Sequence, residues 1–153
     1  MGGNECPGKY FEDWQEGDKY VTTGRTITTT DIEIYTNNMG DYNPLYNDEE
    51  FAKKEVYGTR IVPELLIHAI SAGQISQTQL FQGTMLGWVK IDIDFFNSVK
   101  PGDTIITKGE YIGKRETEKR EQGVLDFFVE VMNQRGEIIM KSNQSITALK
   151  KNV

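Results

Sequence analysis

The sequence predicts one α+β domain, a mostly antiparallel sheet packed around a single long helix, and three observations carry that reading. From Pro63 to about Leu80, apolar residues (Leu65, Leu66, Ile67, Ala69, Ile70, Ala72 and Ile75) fall on nearly every side of a helix whose opening proline suits a first turn. Residues 86–96, 103–114, 123–133 and 137–148 read as strands, with the alternation clearest at Leu125, Phe127, Val129 and Val131. Turn chemistry separates those strands: Pro101-Gly102-Asp103 makes a tight turn and Asn133-Gln134-Arg135-Gly136 closes a hairpin. A helix that is apolar all round must be enclosed, and the strands that follow it supply the sheet.

The remaining elements follow in chain order. Residues 1–9, polar and rich in glycine, are expected to form a loose tail, and 10–150 the folded domain. Phe11 and Trp14 are read as packing anchors ahead of the turn Glu16-Gly17-Asp18, after which Lys19 to Ile27 is strand-like. Thr28 with Asp31 three residues later is a capping signature, and Ile32, Tyr35 and Met39 follow at helical spacing. Asn47 or Asp48 caps a further short helix through Lys54, with Phe51 as its buried residue, acids at its start and lysines at its end. The charged run 114–122 is expected to be a solvated loop.

The totals bound the function. A chain of 153 residues fits one domain, or one subunit of an oligomer, and is long enough to bury a core. Lys and Arg number 17 against 23 Asp and Glu, a net charge of −6 that argues against nucleic acid as a partner. The lone cysteine, Cys6, allows no internal disulfide and no multi-cysteine metal site, so no metal is expected. No apolar run reaches the ~18–20 residues that cross a bilayer, and MGGNECPGKY has no apolar targeting core, so the expected location is the cytoplasm, away from membranes.

One stretch promises chemistry. In Gly40-Asp41-Tyr42-Asn43-Pro44-Leu45-Tyr46 a carboxylate, an amide and a phenol surround a proline that stiffens the backbone, as in a rigid loop that aims its side chains. Continued through Asn47-Asp48 to Phe51-Ala52, the run resembles the hydratase motif Gly-Asp-x-Asn-Pro-x-His of the MaoC-like and (R)-specific enoyl-CoA hydratases. Arg60-Ile61-Val62 ahead of the long helix and Phe96 to Asp103, where that family has a Pro-Val-x-x-Gly-Asp turn, extend the resemblance over residues 11 to 149. The resemblance implies a hot-dog fold and a dimer whose sheets join edge to edge. It also implies an acyl-CoA or acyl-carrier-protein thioester as substrate, with no separate cofactor.

Two departures from the motif matter. Tyr46 stands where the family has the histidine of its Asp/His pair, and Pro63-Glu64 stands where it has His-Gly, whose glycine amide holds the thioester carbonyl. The helix serine of the family falls on Ala72, beside Ser71. Hydration of an enoyl thioester needs a base for water, an acid for the α carbon and a donor for the developing enolate oxygen. Asp41 is the candidate base, in an apolar pocket expected to raise its pKa. Asn43 either orients the water or buttresses the loop. Tyr46 either donates a proton or simply packs, since a phenol with a reference pKa of ~10 is a poor base at neutral pH. At the helix start Pro63, Glu64 and Leu65 are candidate substrate contacts: the Glu64 amide can still serve as carbonyl donor, while its carboxylate either crowds the thioester, adds an acid or favours the helix dipole. His68, the lone histidine, is read as a satisfied core residue. Three functions fit this pattern. One is an active (R)-type hydratase or dehydratase; the second is a non-catalytic thioester-binding chain or the partner subunit of a heteromeric dehydratase; the third is a hot-dog thioesterase.

Overall fold

The computed structural model of the chain describes residues 8–151. A 3₁₀ turn (Phe11–Asp13) leads to strands β1 (Lys19–Val21) and β2 (Arg25–Thr26), helices α1 (Thr29–Met39), α2 (Pro44–Asn47), α3 (Glu49–Ala52) and α4 (Glu64–Gln77), and strands β3 (Met85–Phe95), β4 (Thr104–Glu116), β5 (Gln122–Asn133) and β6 (Ile138–Leu149). The six strands form one sheet in the order β1-β4-β5-β6-β3, with β2 also on β4, and every pairing is antiparallel. The sheet wraps α4, and this is the hot-dog fold that the motif implied. Each of the four long strands lies within two residues of its expected limits, and β4 runs on past Lys114 through Arg115 and Glu116. The charged run is therefore strand at both ends and loop only at its tip. Lys114 even reaches the carbonyls of Phe11, Glu12 and Trp14 with its ammonium group.

The core falls into two clusters that divide the molecule along α4. Near the N-terminus of α4, Leu66, Ile67 and Ile70 pack with Ile27, Ile32, Val99, Ile105, Val131 and Met140. Towards its C-terminal end an aromatic cluster takes over: Trp14 stacks on Phe81 at 5.1 Å and meets Phe127 edge-on at 4.8 Å, with Tyr20 and Tyr111 beside them. Tyr20 lies so tightly over Gly109 that a β carbon there would fall 2.0 Å from its ring. Phe11 and Trp14 are buried, as packing anchors should be.

Several expectations need correction. α4 buries one face rather than all of them: Leu66, Ile67, Ile70, Ser71 and Gln74 are inside, but Leu65 is 62% exposed and Ala69 and Gly73 are exposed with it. Pro63 is the N-cap of that helix rather than part of its first turn. The run from Lys19 to Ile27 is not one strand, because the Thr23 carbonyl turns inward to accept from Gln74 Nε2 at 2.8 Å. In α3 the buried residue is Ala52, while Phe51 is 40% exposed: a single turn presents one small residue to the core. Of the expected tail, residues 1–7, including Cys6, lie outside the described residues. Gly8 and Lys9 are tied down instead, donating their amides to the carbonyls of Gln82 and Leu80.

Candidate active site

The segment carrying Asp41 is set by its caps. Thr28 and Asp31 close a reciprocal capping box that starts α1, and Gly40, at φ 69°, stops it in the left-handed conformation that glycine adopts without strain. The chain then enters α2 with Asn43 as its N-cap, Asn43 Oδ1 accepting from the Leu45 amide at 3.0 Å. That cap shows why Asn-Pro recurs in such a loop: the asparagine satisfies an amide at a helix start whose first residue, Pro44, has none to offer. Asp48, not Asn47, caps α3. Asn47 instead braces the loop from below, its amide donating to the carbonyls of Asp41 (3.3 Å) and Asn43 (3.5 Å) while Thr36 Oγ donates to its oxygen at 3.0 Å.

A second brace comes from Arg60. Its guanidinium donates to Glu49 at 2.9 Å and to the Tyr46 carbonyl at 3.5 Å, and it lies 3.6 Å from the Glu33 carboxylate. Helices α1, α2 and α3 are thus held together by one largely buried cation. Sequence reasoning placed Arg60 in the family pattern without a role, and Asn47 only as a possible cap. The signal for both is present in hindsight only as polar residues at fixed offsets from Asp41, because their partners lie on other elements.

These braces bring Tyr46 against the start of α4. Tyr46 Oη donates to Glu64 Oε2 at 3.2 Å, so the two residues that depart from the motif contact each other. Burial, the neighbouring Glu64 carboxylate and the charge of Asp41 push the Tyr46 phenol up to about 12, because each disfavours a second negative charge there. Tyr46 therefore stays protonated and its proton is engaged by Glu64. Its ring also packs on the first core cluster.

Asp41 departs from the expectation of an apolar pocket. It is exposed, with its amide bound to the Thr36 carbonyl, and the cavity lined by Ala72, Phe81 and Trp88 does not include it. The physical reason is that α4 and the α1–α2 segment meet at the surface, with no further element over them among the described residues. Pro63 is buried, its carbonyl accepting from the Ile67 amide, Glu64 is half-buried, and Leu65 points to solvent. His68 is not a satisfied core residue: it is half-buried, its ring sits 5.9 Å from that of Trp88, its Nδ1 is buried without a hydrogen-bond partner, and burial lowers its pKa.

That arrangement of a hot-dog helix with an Asp-x-Asn-Pro loop at its N-terminus defines a class. The model of the MaoC like domain matches residues 13–131, and the chain belongs to that family. It is similar to the beta-methylmalyl-CoA dehydratase of Chloroflexus aurantiacus, 29% identical over 143 residues that cover 92% of this chain and 40% of that protein. It is also similar to the (R)-specific enoyl-CoA hydratase of Rhodospirillum rubrum, 34% identical over 101 residues, 63% of this chain and 65% of that one. The chain thus spans less than two thirds of the length of either relative. Among solved structures, a protein of Archaeoglobus fulgidus described as a monoamine oxidase regulatory protein superposes with a TM-score of 0.88 at 33% identity, covering 95% of this chain and 97% of that one. No helix among the described residues is long and apolar enough to cross a membrane.

Proposed function

We propose that the chain adds water reversibly across the double bond of an enoyl thioester, giving the (R)-3-hydroxyacyl thioester. The observation that carries this reading is the convergence of Asp41, Tyr46 and Glu64 on the amide end of α4, supported by the Tyr46–Glu64 hydrogen bond. Asp41 takes a proton from water as the water oxygen bonds to the β carbon. The electron pair of the double bond moves towards the α carbon and the carbonyl oxygen, where the free first-turn amides of α4 stabilise the charge. The proton held by Asp41 then passes to the α carbon, so one water is consumed and nothing else is needed. Tyr46 is not a base in this scheme; its hydroxyl shields the Glu64 carboxylate from the enolate. The handedness of the product and the choice of thioester are taken from the names of relatives such as the Rhodospirillum enzyme.

A second chain completes the site. Among the described residues strand β3 is a sheet edge, with Leu86, Trp88, Val89 and Phe95 exposed on it, and Leu65 is exposed on α4, so a partner along β3 buries apolar surface and covers a strand edge together. A copy of this chain is the simplest partner. The exposure of Asp41 and the protonated Tyr46 favour a second reading as well, in which the partner is a related chain with an intact Asp/His pair and this one binds the thioester without turning it over.

The test is hydration of a short trans-2-enoyl-CoA by the purified chain, followed alongside release of free thiol. Hydration to the (R) product without thiol release is expected. No turnover by the chain alone, restored on adding a related subunit with the intact motif, establishes the second reading, and thiol release in place of hydration overturns both.

A further inference from the structure

The hydration reading puts the base on one segment and the carbonyl-binding amides on another, so the distance between Asp41 and the start of α4 has to be set. Three consecutive residues ahead of α4 set it. Arg60 Nη1 donates to the Tyr46 carbonyl at 3.5 Å and the Ile61 amide to the Leu45 carbonyl at 3.2 Å, while the Val62 amide donates to the Val99 carbonyl at 2.8 Å. Pro63 and Glu64 follow directly, and the Glu64 carboxylate accepts from the hydroxyl of the same Tyr46. Helix α2 is thus moored to the segment that opens α4, and Asn47 at its end holds the Asp41 and Asn43 carbonyls.

The Ile61 and Val62 bonds join main chain to main chain, whereas the Arg60 bond depends on a side chain that is itself anchored. Its Nε donates to Glu49 Oε2 at 2.9 Å, and its Nη1 lies 3.6 Å from Glu33 Oε1. Glu33 belongs to α1, which ends at the Asp41 loop, and Glu49 begins α3, which follows it. The guanidinium therefore holds this segment from both sides and at Tyr46. It is the buried member of each pair, its side chain 14% exposed against 56% for Glu33 and 48% for Glu49. A planar fork can aim donors at three acceptors at once, and an ammonium on a flexible stem cannot hold the same geometry. The groups that raise the Tyr46 phenol are Glu64, Asp41 and Tyr35 together with burial, so Arg60 acts on the loop through the Tyr46 main chain rather than through its charge.

We propose that Arg60 is a positioning residue for hydration: through the Tyr46 carbonyl it holds Asp41 at its working distance from the free first-turn amides of α4, without touching the substrate. The reaction is that of the hydration reading, on which this role rests, and Arg60 is the residue on which its geometry depends. A misplacement of about 1 Å is enough to cost ~10²-fold in rate. Ion pairs to carboxylates as exposed as Glu33 and Glu49 add little to stability, so turnover should suffer before folding does.

Hydration of trans-but-2-enoyl-CoA by Arg60→Lys is expected to show kcat lowered about 10- to 100-fold, with KM within about threefold of wild type and an unchanged melting temperature. Arg60→Ala should lose about 100-fold or more in kcat, and added ethylguanidinium should restore about tenfold of that, which a purely structural role would not allow. Lys53→Ala, which removes the exposed ion pair with Glu50 on α3, should leave kcat as it is. Amide hydrogen exchange reads the same role without turnover. In Arg60→Ala the amides of Asp41, Tyr46 and Asp48, bonded to the carbonyls of Thr36, Asn43 and Pro44, should exchange about tenfold faster or more, while the Ile67 amide at the start of α4 keeps its protection. Wild-type kcat in both Arg60 variants, or a fall in kcat that tracks a fall in melting temperature and is not rescued, overturns the role. Unchanged exchange at Asp41 and Tyr46 overturns it whether or not the chain hydrates its substrate. A wild-type chain that hydrates nothing removes the hydration reading, and the catalytic role of Arg60 with it.

Discussion

Two polar groupings sit on the same helix one and a half to three turns apart, and they are built in opposite ways. At the N-terminal end of α4, Glu64 contacts Tyr46 at the surface, beside an exposed Asp41. Further along, Gln74 is 2% exposed and spends its amide on three partners: the carbonyls of Thr23 (2.8 Å) and Ile105 (3.0 Å) and the Thr107 hydroxyl (2.9 Å), which also lies 2.9 Å from the Ser71 hydroxyl. The inner grouping is saturated and dry, as a structural network must be if it is not to destabilise the core. The outer grouping keeps capacity open towards solvent. Polar residues close in sequence thus serve structure or chemistry according to whether their hydrogen bonds are already complete.

The largest effect that sharpens this contrast is expected at Asp41. Asp41→Asn preserves shape and removes the base, so hydration should fall by ~10² or more. Melting temperature should change little, since its carboxylate has no hydrogen-bond role in the loop, which is braced by Asn47 and Arg60 instead. Unchanged turnover with a lowered melting temperature would make the loop structural and remove the hydratase reading.

Gln74→Leu is expected to act in the reverse sense. It leaves the Thr23 and Ile105 carbonyls and Thr107 without their buried partner, at a cost of roughly 2–4 kcal/mol in chemical denaturation. Hydration by the fraction that stays folded should be close to wild type. A fall in stability below half a kcal/mol would show that water or a neighbour replaces the amide, and the two groupings would no longer differ in kind.

A third site shows how charge can be made structural. Burial alone would raise the pKa of Asp103, but hydrogen bonds from Arg135, the Lys100 amide and Gln134 outweigh it and hold the carboxyl below its ordinary value. A carboxyl whose pKa is lower folded than unfolded stabilises the protein above the unfolded value and loses that contribution as pH falls through the folded one. Stability should therefore decline as pH drops below about 4. Asp103→Asn should be less stable at neutral pH and show a flatter acid limb; an unchanged limb would place the acid sensitivity elsewhere.

These contrasts also mark what the sequence could convey. The four long strands and the capping box at Thr28 were legible because periodicity and turn chemistry are local. The single buried face of α4 was not, since Leu65 and Ala69 are as apolar as Leu66 and Ile70 and only the sheet decides which side is covered. The motif located Asp41 and Tyr46, but the Tyr46–Glu64 contact joins residues 18 apart, and the bracing by Arg60 joins three helices. Gln74 gave no sign of its part, because its partners lie 31 to 51 residues away.

The smallest expected effect on stability is also the most informative about the departure from the family. Tyr46→His restores the family residue at a half-buried position, and the hydrogen bond it removes is partly exposed, so stability should move by no more than ~1 kcal/mol. An imidazole there, with a reference pKa of ~6.5 in place of a phenol pushed up to about 12, can take or give a proton at neutral pH. The neighbouring Glu64 carboxylate favours its protonated form, and that imidazolium gives up its proton far more readily than the Tyr46 phenol does. Hydration should be maintained or rise by up to about tenfold, with a new limb in the pH–rate profile near neutrality that the wild type lacks. If Tyr46→His folds normally yet loses turnover, the phenol itself takes part in the reaction, and the pairing of Tyr46 with Glu64 is a different catalytic arrangement rather than a weakened copy of the Asp/His pair.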